Sequence, residues 1–123
     1  MNAKELKKLK AEVIDLINES GYRLEEVPSE VKDDKDVVLA AVKKKGMWLE
    51  HVSPALRKNK DIVLASVKQE GMALQFADAS LKKDKKIVLE AVKNMYMALD
   101  YADKSLKKDK DILKIYNKQK AEL

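Results

Sequence analysis

One nine-residue pattern recurs along this chain at a constant offset of 25 residues, and that period narrows the possible folds more than any other feature. The segments KDVVLAAVK (35–43), KDIVLASVK (60–68) and KKIVLEAVK (85–93) share one frame; KDILKIYNK (110–118) extends it and KAEVIDLIN (10–18) precedes it in the same phase. The stretches between them recur as well. GMWLEHVSPALRKN (46–59), GMALQFADASLKKD (71–84) and YMALDYADKSLKKD (96–109) align without a gap, and GYRLEEVPSEVKDD (21–34) follows more loosely. A period of this length marks a repeat architecture. One copy is a single supersecondary unit that cannot bury its apolar face alone, so neighbouring copies must stack.

Each copy reads as a pair of helices. Asp34, Asn59, Asp84 and Asp109 stand just before the apolar runs, where a short side-chain oxygen accepts from the unbonded N–H groups of a first helical turn. The first helix then spans about 35–45 in its unit. Val37, Val38, Leu39, Ala41 and Val42 cover roughly 200° of its circumference at 100° per residue, leaving Asp36, Ala40 and Lys43 outside. An arc that wide suits a helix with neighbours on both sides. Gly46 and Gly71 are expected to end it as left-handed caps. A shorter second helix follows near 47–52, with Leu24, Leu49, Leu74 and Leu99 in one inward column and Val27, Val52, Ala77 and Ala102 in the next. Leu56, Leu81 and Leu106 return to the core, and Pro54 opens a last short turn.

The ends read as caps. Residues 2–20 form a longer first helix with Leu6 and Leu9 on the face of Val13 and Leu16. The last copy keeps only its first helix, where Lys114 and Asn117 replace the apolar residues found at Leu39 and Val42. The expected fold is all-α, a short α-solenoid of tandem 25-residue helix–turn–helix repeats, with a compact helical bundle as the alternative. The whole of 1–123 is one repeat domain, with units about 10–34, 35–59, 60–84 and 85–109 and a capping helix at 110–123.

Composition removes several function classes. With 46% apolar and 38% charged residues of mixed sign, the chain is too apolar to be disordered. It has no cysteine, which rules out disulfides, thiolate chemistry and cysteine-based zinc sites. The opening MNAKELKKLKAEV contains no apolar stretch of the kind a secretory signal needs, and no apolar run approaches the ~20 residues of a membrane span. A soluble cytoplasmic protein without a membrane role is expected. The net charge of +5 is uneven: residues 1–34 carry 6 basic and 9 acidic side chains, and the remainder carry 20 and 12. That split suits an acidic partner or end-to-end self-association, and equally a lysine-rich surface that only keeps a small protein in solution.

The pattern D-K-x-[VI]-V-L-x-A-V-K-x-x-G-x-A-L, followed by A-x-x-x-L-K-x-D, resembles the helical repeat family known as domain of unknown function 4116. The resemblance spans 10–118. Its departures are Tyr96 in the glycine position, Trp48 in a small-residue position and the diverged first copy. It implies the repeat fold and no particular activity.

Catalytic chemistry finds little to work with. His51 is the only histidine, so neither a triad nor a histidine metal site can be assembled around it. DDKD (33–36) and KKDKD (107–111) lack the spacing of a calcium loop and recur as helix-cap sequences, and the three isolated glycines build no phosphate loop. No catalytic residue, metal ligand or cofactor is assigned, and an enzyme is not expected. Two surfaces remain. Arg57, Lys58, Lys60, Lys82, Lys83, Lys85, Lys107, Lys108 and Lys110 fall in columns that would form a basic ridge able to follow phosphates, although acidic caps interleave it and no aromatics alternate with it. His51, Phe76 and Tyr101 share a column, with Trp48 one turn before His51, and such a strip suits a protein or peptide partner. These rings would equally serve as packing between repeats; Met47, Met72 and Met97 read as core filler. The first expectation is therefore a non-catalytic protein-interaction module, with nucleic-acid or polyanion binding as the alternative. The oligomeric state is left open.

The recurrence of the caps can be tested directly. Asp84→Ala should lower stability by about 1 kcal/mol in a denaturant titration; an unchanged midpoint would remove the capping role.

Overall fold

A carboxylate or amide cap starts each helix that follows a repeat boundary. In the computed structural model, which describes residues 1–19 and 22–122, the α-helices are α1 (Ala3–Glu19), α2 (Lys35–Lys44), α3 (Lys60–Gln69), α4 (Lys85–Asn94) and α5 (Lys110–Ala121). The side chain of Asp34 accepts from the N–H groups of Asp36 and Val37. Asp84 does the same for Lys86 and Ile87, Asp109 for Asp111 and Ile112, and Asn59 for Ile62. At α1 the cap is Asn2, whose Oδ1 accepts from Glu5 N at 2.8 Å. The expected helix end at residue 20, the start of the loose copy at Gly21 and the chain end at 123 lie outside the described residues.

The second helix of each unit is a 3₁₀ segment, Gly46–His51, Gly71–Phe76 and Tyr96–Tyr101, with only Leu24–Glu26 in the first unit. Elements this short are where the tighter helix is used. All regular structure among the described residues is helical. Consecutive α-helices pack on one another, and α3, α4 and α5 each also lie on the 3₁₀ segment of the preceding unit. Between these layers run the buried columns Val37/Ile62/Ile87/Ile112, Val38/Val63/Val88 and Leu24/Leu49/Leu74/Leu99. Leu56, Leu81 and Leu106 pack on the core while half-buried.

The two end helices show which way each face looks. In α1 the buried residues are Val13 and Ile17, counterparts of Val38 and Val42, while Glu12 and Leu16, counterparts of Val37 and Ala41, are exposed. In α5 the pattern is reversed: Ile112 is buried and Asn117 exposed. The Val37/Ala41 face therefore looks to the preceding unit and the Val38/Val42 face to the following one. This corrects the expectation for Leu16, which is 46% exposed, no helix among the described residues lying on that face of α1. Met97, expected in the core, is also 44% exposed, with no six-residue 3₁₀ segment of a following unit among the described residues, whereas Met47 and Met72 are half-buried.

Gly46 and Gly71 have a different role from the one expected. Neither has a positive φ, and the helix caps before them, Lys45 and Glu70, are extended. What they provide is room. A Cβ on Gly46 would fall far inside contact distance of the Ser66 carbonyl oxygen, and one on Gly71 equally close to that of Ala91. At the third junction both partners change together: Tyr96 replaces glycine, Tyr116 replaces the small residue, and the rings meet edge-on with centroids 5.5 Å apart. Side-chain amides clasp the same junctions. Gly46 N donates to Gln69 Oε1 at 2.7 Å and Gly71 N to Asn94 Oδ1 at 2.6 Å, while Gln119 Nε2 donates to Lys93 O at 2.6 Å.

Gly→Ala at an unstrained site stabilises by reducing the freedom of the unfolded chain. Here overpacking should outweigh that gain, and Gly71→Ala should lose about 1–3 kcal/mol in denaturant melts. A neutral or stabilising result would mean that the backbones are not in close contact.

Candidate functional site

The ridge lysines at the helix starts are largely engaged. Lys35 pairs with Asp61 (3.1 Å), Lys60 with Asp84 (3.1 Å), and Lys85 with Asp109 (3.1 Å) and Asp111 (2.7 Å), and Lys10, midway along α1, pairs in the same way with Asp34 (3.3 Å) and Asp36. Every pair joins a lysine to the cap or second residue of the next helix, so the ladder has a direction. Lys110, on the last helix, makes no ion pair among the described residues. Hydrogen bonds to Asp111 and Asp109 hold the Lys85 ammonium above its ordinary value. Burial raises the Asp84 carboxyl, but Lys60 and the N–H groups of Ile87 and Lys86 outweigh it and leave the net shift downward. Exposed pairs of this kind are each worth at most about 1 kcal/mol. Their larger effect is to neutralise the column along the ridge.

A second acid stands beside the turn cations. Asp78 N donates to Arg57 O at 3.1 Å and Asp103 N to Lys82 O at 3.0 Å. The Oδ2 atoms of Asp78 and Asp103 accept from Ser80 and Ser105 Oγ, both at 2.6 Å. Those serine bonds are the main reason both carboxyls lie below their ordinary value, with Lys58 and Arg57, or Lys83 and Lys104, adding to the effect. Lys58, Lys83, Lys107 and Lys108 are exposed, and Lys107 Nζ donates to Asp100 O at 3.3 Å. The ridge is thus a surface of alternating sign.

The aromatic residues divide between two places. Trp48 is half-buried against the core and borders a hollow of about 500 Å³ together with Arg23, Glu25, Lys45, Glu50 and His51. Its counterparts Ala73 and Ala98 are fully buried. Next to Trp48 the first unit offers, among its described residues, only the short segment Leu24–Glu26, and part of the space beside the ring stays open. His51 is exposed, its Nε2 lying 3.8 Å from Glu25 Oε1. Phe76 borders a separate hollow of about 180 Å³ with Pro54, Arg57, Ala77 and Asp78. Tyr101, half-buried on the core, lines neither of these two hollows.

Arg57 and Phe76 were assigned to different surfaces from sequence, with no aromatic beside the ridge; the fold brings them together. They belong to different units and lie 19 positions apart, a spacing that carries no periodic signal. Arg57 Nε is shielded from solvent and makes no hydrogen bond, a deficit worth about 1–3 kcal/mol for a buried donor. A further hollow, of about 430 Å³, lies between Leu6, Lys7 and Lys10 of α1 and Glu30, Val31 and Asp34, and nothing in the sequence pattern marked it. No group of three or more histidine, cysteine or acidic residues able to hold a metal exists among the described residues. No helix among them is long and apolar enough to cross a membrane.

A family model described as "Domain of unknown function (DUF4116)" matches residues 13–57, 59–107 and 84–122. No curated protein and no solved structure matches the chain.

Asp36, Asp78, Asp84, Asp103 and Asp109 all titrate below the ordinary value of 3.8 in the folded chain. A depressed folded pKa contributes stability that is present above the unfolded value and lost as pH falls through the folded one. The thermal midpoint should stay level from about pH 7 to 5 and drop below about pH 4. Asp78→Asn combined with Asp103→Asn should shallow that drop; a profile level throughout the acid range would contradict these lowered carboxyls.

Proposed function

Because this chain belongs to the DUF4116 family, whose description names no activity, we propose that it is a non-catalytic interaction module, a short α-solenoid in the cytoplasm that binds a partner polypeptide across the face bearing Trp48, His51, Phe76 and Tyr101. The observation that carries this reading is Trp48. A half-buried indole at the edge of an open hollow, ringed by charges of both signs, is the arrangement of an interface anchor: an aromatic centre with a polar rim. Repeat proteins use such extended surfaces for binding. The polyanion reading loses support from the ion ladder, since Lys60 and Lys85 spend their charge on the acids of the next helix.

Partners crosslinked to the tagged chain in lysate should survive nuclease treatment, and Trp48→Ala and Phe76→Ala should each weaken the isolated complex by about 1 kcal/mol or more. Trp48 emission should shift to the blue on binding. Capture that disappears with nuclease and falls steeply with salt would instead favour the lysine ridge.

A further inference from the structure

The hollow where Arg57 meets Phe76 has an apolar wall, formed by Pro54, Phe76 and Ala77, and only two charged residues, Arg57 and Asp78. Asp78 is already engaged, its Oδ2 accepting from Ser80 Oγ at 2.6 Å and Ser80 N at 3.0 Å. Arg57 has no such partner. Its Nε bonds to nothing, and no carboxylate stands within ion-pair range of it among the described residues, whereas the ridge cations Lys60 and Lys85 are paired.

We propose that this hollow anchors the partner polypeptide by an acidic side chain, whose carboxylate docks on the Arg57 guanidinium while an adjacent apolar side chain enters the space beside Pro54, Phe76 and Ala77. The inference rests on the reading of the chain as a polypeptide-binding module and names the chemistry of what it binds. Charge and size select the occupant. The planar guanidinium fork takes a carboxylate through two parallel hydrogen bonds, which a lysine at this position could not do. A volume of about 180 Å³ has room for one aliphatic side chain rather than a whole helix. To engage Nε the guanidinium turns out of its shielded position, and it gives up no hydrogen bond from that atom in doing so. The charge of Asp78 acts against an incoming acid, which gives the proposal a sign that can be checked.

The probe is a fluorescein-labelled peptide of alternating leucine and aspartate with blocked ends, titrated by polarisation with the full chain, beside its leucine–asparagine counterpart. The acidic peptide should bind at least about tenfold more tightly than the neutral one, and Arg57→Gln should remove about that factor, with Arg57→Lys restoring only part. Lys83→Gln, a neighbouring ridge charge, should change affinity by less than about twofold, and Asp78→Asn should tighten binding. Circular dichroism of each variant checks that it folds. Equal affinity for the two peptides, equal losses at Arg57 and Lys83, or weaker binding with Asp78→Asn would overturn the proposal. So would an oligothymidylate that binds more tightly than the acidic peptide in an Arg57-dependent way. If the acidic peptide fails to bind while Trp48-dependent capture of a partner persists, the anchor is wrong and the module reading stands; loss of both removes both.

Discussion

The structure depends on one close approach, the backbone of Gly46 or Gly71 against a carbonyl in the last turn of the next unit's helix. At these two junctions the neighbouring side chains are fitted around that contact. The facing position must be small, and it is Ser66 or Ala91, both fully buried. Ser66 keeps its hydroxyl in that apolar setting only because Oγ donates to Ile62 O at 2.8 Å. Where the glycine is lost, at Tyr96, the opposing residue grows to Tyr116 and ring-on-ring packing replaces backbone contact. Each junction is a matched pair, so a change on one side alone leaves either a clash or a gap.

Two polar ladders flank that contact, one at each end of the helices. At the starts, lysines reach forward to the caps of the next helix. At the ends, Gln69, Asn94 and Gln119 reach back to the preceding unit. Both ladders need the same register, which gives a physical reason for a period of 25 held without insertions in the central units. The forward direction of the lysine ladder also shapes the surface. The helix-start cations Lys35, Lys60 and Lys85 are each matched by an acid of the following unit, so part of the basic excess of residues 35–123 is held in paired charges.

The helical pattern was legible because it depends on local chemistry repeated four times. Caps, inward leucines and the wide apolar arc each follow from a residue and its near neighbours, and each recurs at the offset of 25. What escaped was the geometry between units. Glycine after a helix has a familiar local explanation in a left-handed cap, and only the position of the next helix shows that Gly46 and Gly71 answer to a neighbour 20 residues onward. Leu16 and Met97 have repeat counterparts that are covered, but exposure at an end is set by what lies beyond it. The meeting of Arg57 and Phe76 is the same kind of fact: neither residue carries a signal pointing to the other, because the distance between them is neither a helical period nor a repeat period.

The open site beside Trp48 follows from the divergence of the first unit. In the regular units a six-residue 3₁₀ segment stands against the next and buries an alanine completely, as at Ala73 and Ala98. Halving that segment to Leu24–Glu26 removes a wall, and an alanine at position 48 would then leave apolar core within reach of water. The tryptophan fills part of that space and leaves about 500 Å³ open, bordered by Arg23 and Glu25 on one unit and Lys45 and Glu50 on the other. An irregular repeat would ordinarily lose stability at its junction. Here the large ring recovers buried area and at the same time presents an aromatic edge in a mixed-charge rim, so one pair of departures from the repeat both covers part of the core and gives Trp48 its half-open setting.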